Sequence, residues 1–352
     1  MKADKSKILT FLNTVSGKAV LGIDGFIDEV WQVVDIRIDA DTYEPMLRMK
    51  QFGDMIVERE TGGFAKEIVR KRRTCGGFTC NTSRAVSRLG IETVMVGTFG
   101  DNEIDPVFDE FKDNKRFSIA APVICSVLEF SDGKIMMPYI ENLLKFDWPK
   151  LKSVLTKTGN IFEDANIVGI GYWSNMPDFD NMLTELVKNY IKEGTRLFFD
   201  FANVTKKSVQ ALKQTLSVMN TLNKKTPMTL SLNEHEGSLL FEYYHIKDTD
   251  PLNAVTTLRN KVGIEEIIVH TPHYATIATA KEGSLYAEQA HIQNPVRTAG
   301  AGDSFNGGYM ASCLANLNPA ERLSIASTVT CFYVTNGYPP DSNQLTEIVK
   351  QW

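Results

Sequence analysis

Residues 297–308 read RTAGAGDSFNGG, four glycines and two alanines around one aspartate, Asp303. Asn294-Pro295 just upstream signals a loop, and Phe305, Tyr309, Ser312, Cys313 and Asn316 recur downstream at helical spacing. The stretch therefore reads as a tight turn whose amide N–H groups open a helix. Those first N–H groups have no partner within the helix, and the aligned peptides add about half a positive charge there, so the turn suits an anion such as phosphate. Glycine lets that anion approach the backbone. A carboxylate in such a place repels phosphate unless it takes a proton or holds a cation, and a hydroxyl nucleophile would supply the proton. The competing reading makes Asp303 a helix cap.

Upstream of this turn, short β-branched or aromatic runs alternate with helical patterns, with no internal repeat. Strands are expected at 19–23, 93–97, 166–170, 196–200, 228–232 and 266–270, most of them apolar throughout, as strands covered on both faces should be. Helices are expected at 79–89, 177–193 and 251–262, the last two opening on prolines. Alternation dominates instead at 30–74 and 123–139, where Ser131-Asp132-Gly133-Lys134 has the look of a hairpin turn. The fold class is thus α/β with a mainly parallel sheet, and the alternating segments form a small antiparallel element laid over it.

Composition restricts the function. The chain has 352 residues, 43% hydrophobic and 23% charged, enough for a large core without staples. A net charge of -5 argues against nucleic acid or an anionic membrane as a general partner. Five irregularly spaced cysteines suit reduced thiols, and no signal peptide opens the chain, so a cytoplasmic protein is expected. There is no GxxxxGK[ST] loop and no GxSxG elbow, and GIGYWSN (169–175) lacks the last glycine of GxGxxG. His270 and His273 flank Pro272 at a strand end, where they would not share a helical face, and Cys75 and Cys80 lack a second pair.

AGAGDSFNGGYMAS (299–312) resembles the carboxy-terminal signature of the PfkB or ribokinase family of carbohydrate and nucleoside kinases. CGGFTCNTSRAVSRLG (75–90), VGTFGDN (96–102) and SLNEHEGSLL (231–240) are similar to three further motifs of that family, in the same order. The resemblance spans nearly the whole chain. It implies one ribokinase-like domain, a three-layer α/β/α sandwich with a β lid built from about residues 30–74 and 123–139, and leaves open a homodimer through that lid. It further implies an ATP-dependent, Mg2+-assisted phosphotransferase acting on a hydroxyl of a sugar, sugar acid or polyol. A nucleoside kinase and a catalytically silent sugar- or nucleotide-binding sensor are the alternatives.

The resemblance also implies roles. Asp303 is expected to be the base, with backbone at Gly300, Ala301 and Gly302 forming an anion hole. Asn233 and Glu236 are expected near magnesium and the phosphates, although asparagine followed three residues later by glutamate is also a sound capping pair. Asp28, Gly76, Gly77 and Asn81 are expected to meet the sugar, with Asp24 a competitor whose plain reading is a solvated strand end. Arg297 stands where many relatives carry aspartate, so potassium dependence is not implied. In HTPHYAT (270–276), Pro272 and Ala275 replace two glycines of the nucleotide wall.

Overall fold

The computed structural model describes residues 3–352. In chain order the strands are β1 Lys18–Gly22, β2 Phe26–Arg37, β3 Tyr43–Pro45, β4 Ile68–Gly76, β5 Glu92–Gly97, β6 Lys115–Ser118, β7 Val123–Phe130, β8 Gly133–Tyr139, β9 Ile167–Gly171, β10 Arg196–Asp200, β11 Met228–Asn233, β12 Glu266–His270, β13 Tyr274–Thr279 and β14 Ser284–Glu288. Nine of them form the main sheet in the order β14-β13-β12-β11-β10-β9-β1-β5-β6. Neighbours from β6 to β12 run parallel, and β13 and β14 add an antiparallel edge. All six expected strands are present.

Why the runs are apolar throughout is visible in β10. Leu197 and Phe199 enter the core on one face, Phe198 the core on the other, and all three are fully buried. Helices Trp148–Thr158, Phe179–Asn189, Val209–Leu222 and Pro251–Val262 cover the first face. Lys5–Thr14, Gly77–Arg88, Ala301–Ser312, Pro319–Asn336 and Ser342–Lys350 cover the second, which completes three layers. The helix expected from Pro177 starts at Phe179 with Asp178 at its N-cap position, and the Asp178 carboxylate accepts the Trp148 N–H at 2.9 Å instead of capping the helix.

The chain first adds β5 and β6 on one side of β1, then returns to lay β9 to β12 on the other. A crevice opens at such a reversal, beyond the carboxyl ends of the strands. The lid hangs over it, with strand order β3-β2-β7-β8 and β4 paired to β2. One expectation is corrected here: β2 and β7 pair in parallel. Both leave the main sheet from carboxyl ends, β2 after β1 and β7 after β6, so they set out in the same direction. The antiparallel pattern holds for β2 with β4 and for the β7–β8 hairpin, whose turn is Ser131-Asp132. Between lid strands lies the helix Met49–Val57, which the alternation reading did not anticipate and which buries none of its residues.

Candidate active site

The carboxyl ends of β1, β9, β10, β11 and β12 bring Asp24, Tyr172, Asp200, Asn233 and His270 to one rim. Opposite them, helix Ala301–Ser312 presents its first turn. Gly300 makes the bend with φ +87°, a conformation that favours glycine, and the Ser304 N–H donates to its carbonyl at 2.9 Å. The Ala301 N–H is taken by the Thr298 carbonyl at 3.0 Å, so it is not free for an anion as the sequence suggested. The N–H groups of Gly302 and Asp303 meet no acceptor among the described residues.

Asp303 stands beside this pair of donors. Asn81 Nδ2 donates to its Oδ2 at 2.8 Å. Burial, then the charge of Asp200, pushes the Asp303 carboxyl up to about 8, against the pull of the Asn81 hydrogen bond and the Arg84 cation. Asp200 accepts the Ala202 N–H at 3.0 Å and Asn306 Nδ2 at 2.8 Å, and burial raises it too. Asn233 and Glu236 form a complete capping box, each side chain accepting the other's backbone N–H at 3.0 Å. Burial and the Asp200 charge hold Glu236 well above the carboxylate range. Of the two readings weighed in the sequence, the cap is the one these hydrogen bonds display. Burial and mutual repulsion of these acids outweigh the pull of Arg84 and favour protonation or a bound cation.

On the sugar side, Asp28 lies on β2 between Thr74 of β4 and Cys125 of β7, and a Cβ on Gly76 would come within 3.0 Å of its Oδ2. Burial raises the Asp28 carboxyl. Gly77 serves a different aspartate. It has φ +85°, and a Cβ there would lie 1.9 Å from Asp24 Oδ2. Asp24 is completely buried, not solvated. Its Oδ1 accepts from the Thr79 N–H at 3.0 Å and from Thr79 Oγ1 at 2.7 Å, while Oδ2 has no partner, and burial pushes the group up to about 6. Tyr172, at φ +60°, packs its ring 4.7 Å from Phe26.

A cavity of about 700 Å³ opens on the other side of Asp303, lined among others by Gly302, Glu234, His270, Thr330 and Val334. In the HTPHYAT turn, Thr271 Oγ1 accepts the N–H groups of His273 and Tyr274, both at 3.0 Å, closing without glycine and setting Pro272 and His273 on the cavity wall. His270 stacks on Phe305 with centroids 4.7 Å apart, and burial pulls its imidazole down to about 4, so it is neutral at pH 7. Among the described residues, no group of three or more His, Cys, Asp or Glu side chains is arranged to hold a metal unaided.

A family model described as prokaryotic ketohexokinase matches residues 10–352. The chain belongs to the prokaryotic ketohexokinase family. A curated ketohexokinase of Haloferax volcanii is 27% identical over 338 residues, covering 94% of this chain and 90% of that protein. A 1-phosphofructokinase of Haemophilus influenzae is 36% identical over 73 residues, 21% of this chain and 23% of its own. Among solved structures, ribokinase from Thermotoga maritima superposes with TM-score 0.64 at 15% identity, over 96% of this chain and 100% of that one. Fructokinase from Xylella fastidiosa gives 0.65 at 17%, over 95% and 98%. At such identities the likeness to those structures concerns the fold, which is the ribokinase fold.

Membership in the ketohexokinase family makes this a carbohydrate kinase, a phosphotransferase that uses ATP and an alcohol acceptor on a small carbohydrate. Of the residues singled out in the sequence, the structure places Asp303, Gly302, Asn81, Asn233 and Glu236 at one end of the sheet, with Asp28 and Gly76 on the lid strands beside it. The sequence reading assigned none of Asp200, Tyr172, His270 and Arg84 to the site. Three of these sit at strand ends, a position from which α/β sheets draw their ligands' contacts. Arg84 lies three residues beyond Asn81 on one helix, which puts both on one face.

Proposed function

We propose that this kinase transfers the γ-phosphoryl group of ATP to a hydroxyl of a ketohexose, with Asp303 as the base. The observation that carries the reading is the Asp303 carboxylate beside two unpartnered N–H groups, between a nucleotide-sized cavity and the lid-covered side that carries Asp28. Asp303 removes the hydroxyl proton, and the Gly302 and Asp303 amides hold the phosphoryl group as its charge shifts, an arrangement of positioning and charge that suffices for this chemistry. Asp28 is positioned to accept hydrogen bonds from sugar hydroxyls, with Gly76 keeping the backbone clear beside it. Asp24 holds the start of helix Gly77–Arg88.

Asp200, Asn233 and Glu236 are the residues that would hold, largely through water, the magnesium ion that accompanies ATP. Bound magnesium would neutralise phosphate charge. The raised carboxyls of Asp200 and Glu236 support this, since a cation relieves their mutual repulsion. A sugar rather than a nucleoside as acceptor is supported by the ketohexokinase of Haloferax volcanii, aligned over 94% of this chain. A homodimer through the lid is supported by its apolar outer residues Ile38, Val57, Met137 and Tyr139, which are 59%, 68%, 51% and 59% exposed. A reducing cytoplasm suits the five free thiols.

The test is ADP release with ATP and magnesium across ketohexoses, aldohexoses, polyols and nucleosides. Ketohexose-dependent release is expected from the wild type. Asp303→Asn is expected to lose about 100-fold or more in kcat, the usual share of a positioned base, while ATP and ketohexose still raise its Tm. Comparable turnover in that variant removes Asp303 from the mechanism.

A further inference from the structure

The Asn81 amide is held at both ends. Its Nδ2 donates to Asp303 Oδ2 at 2.8 Å, and its Oδ1 accepts from Arg84 Nη1 at 2.8 Å. Arg84 is itself gripped. Its Nε donates to Glu110 Oε2 at 3.1 Å, its Nη2 reaches the second oxygen of the same carboxylate and also Cys75 Sγ at 3.5 Å, and the guanidinium lies over the Phe111 ring, 5.5 Å from the centroid. Glu110 and Phe111 belong to a 3-10 turn, Pro106–Phe111, anchored in its own cluster by Phe108 and Phe111.

The direction of this chain of bonds follows from what each group can donate. A guanidinium has donors only, so it forces the amide oxygen of Asn81 toward itself. The NH2 end then has to face Asp303. Without that cation the amide is oriented from the Asp303 side alone, and a protonated Asp303 carboxyl can donate to the amide oxygen as readily as it accepts from the NH2 end. We infer that Arg84 is a positioning residue for phosphoryl transfer: it fixes which end of the Asn81 amide meets Asp303, and so how the Asp303 carboxylate is held. One oxygen of Asp303 is thereby committed to Asn81, and the other is left for the substrate hydroxyl. The inference rests on the reading of Asp303 as the base.

Arg84 acts on Asp303 by two routes, the oriented amide and its own charge, and both favour the ionised carboxylate. The other groups around Asp303 are Asp200 and Asp24 from the strand ends, Glu236 from the capping box, and the hydroxyls of Tyr172 and Tyr333. A second cation, Arg297, lies over the Tyr333 ring, 5.7 Å from its centroid, and its charge acts on Tyr333, Glu110 and Asp28, whereas the cation acting on Asp303 itself is Arg84. Arg84 is therefore the group whose loss pushes the base toward its protonated form.

Wild type, Asp303→Asn, Arg84→Met, Arg84→Lys and the double variant Arg84→Met/Asp303→Asn are compared by steady-state ADP release between pH 5 and 10. Arg84→Met is expected to lose about tenfold or more in kcat, part of the base's own contribution, with KM for sugar and ATP nearly unchanged. The acid limb of its kcat/KM profile moves to higher pH, and added methylguanidinium restores part of the rate. In the Asp303→Asn background the same substitution has no further effect, since the group it serves is gone. Arg84→Lys moves the limb in the same direction by less, and it decides the question should Arg84→Met not fold. A folded Arg84 variant with wild-type kcat and acid limb overturns the positioning role. So does a kcat loss with an unmoved limb, no methylguanidinium rescue and an equal loss in the Asp303→Asn background, which is the pattern of a merely structural ion pair. If the wild type releases no ADP on any sugar, or Asp303→Asn stays active, the base assignment falls and this inference falls with it. An inactive Asp303→Asn beside an indifferent Arg84→Met sinks only the role of Arg84.

Discussion

Burial and the neighbouring Asp200 raise the Asp303 carboxyl from the ordinary 3.8 to about 8 in the folded chain, and the same environment that readies it to hold a substrate proton destabilises its charge. Two measurements follow from that shift. The kcat/KM profile of the free enzyme is expected to rise with pH along an acid limb near 8, far above the usual carboxylate range, because only the ionised form accepts the hydroxyl proton. For stability the sign reverses. The folded state holds this proton more tightly than the unfolded chain does, so the cost is absent below about pH 4, grows as pH rises and is complete above about 8. Asp303→Asn carries no such cost. Thermal melts from pH 4 to 9 should show the variant gaining Tm on the wild type steadily across that range, and a constant gap would mean that the carboxyl is not raised. On the proposed reading of Asp303 as the base, stability is given up for chemistry there.

Helix Gly77–Arg88 carries Asn81 to Asp303, and its entry at Gly77 has no room for a side chain. A methyl at Gly77 meets both a left-handed backbone and the Asp24 carboxylate at 1.9 Å. Gly77→Ala is expected to cost on the order of 2 kcal/mol or more and to displace Asn81, so that denaturant melts and turnover fall together. Phe198→Ala, in the sheet and away from the rim, should cost about 3–5 kcal/mol while leaving the KM of the folded fraction nearly unchanged. The contrast separates a site effect from a core effect. These elements also show what was legible in the sequence. β10 announces itself because Leu197, Phe198 and Phe199 are all buried, so no polar residue interrupts the run. β6, with Lys115 and Arg116 at a sheet edge, carries no such run and went unread. The helix Met49–Val57 was hidden inside an alternating lid. Within the site, Asp303 and Asn81 were legible because a local turn and a helix place them. Asp24 was noticed but read as a solvated strand end, and Asp200 was left off the site, because their burial and mutual approach come from strands far apart in sequence.

At the scale of the whole molecule, the lid exposes apolar residues on its surface. If the lid's apolar outer residues meet a second copy, sedimentation should give twice the monomer mass, and Met137→Asp should return the monomer without unfolding it. A wild-type monomer at micromolar concentration would remove that interface. The sheet's consequence concerns time. β1 lies between β5 and β9, yet its bonds to β9 span 148 residues, as in the contact from the Lys18 N–H to Asn166 Oδ1. During synthesis, then, the first strand made stays open along one edge until half the chain has emerged, with Ala19, Val20 and Leu21 uncovered meanwhile. Non-local parallel pairing of this kind slows folding and leaves a template for misassociation. A chain halted before β9 should therefore precipitate, whereas one extended through β10 should gain solubility. A strand enclosed on both edges in the finished enzyme is thus a liability while the enzyme is being made.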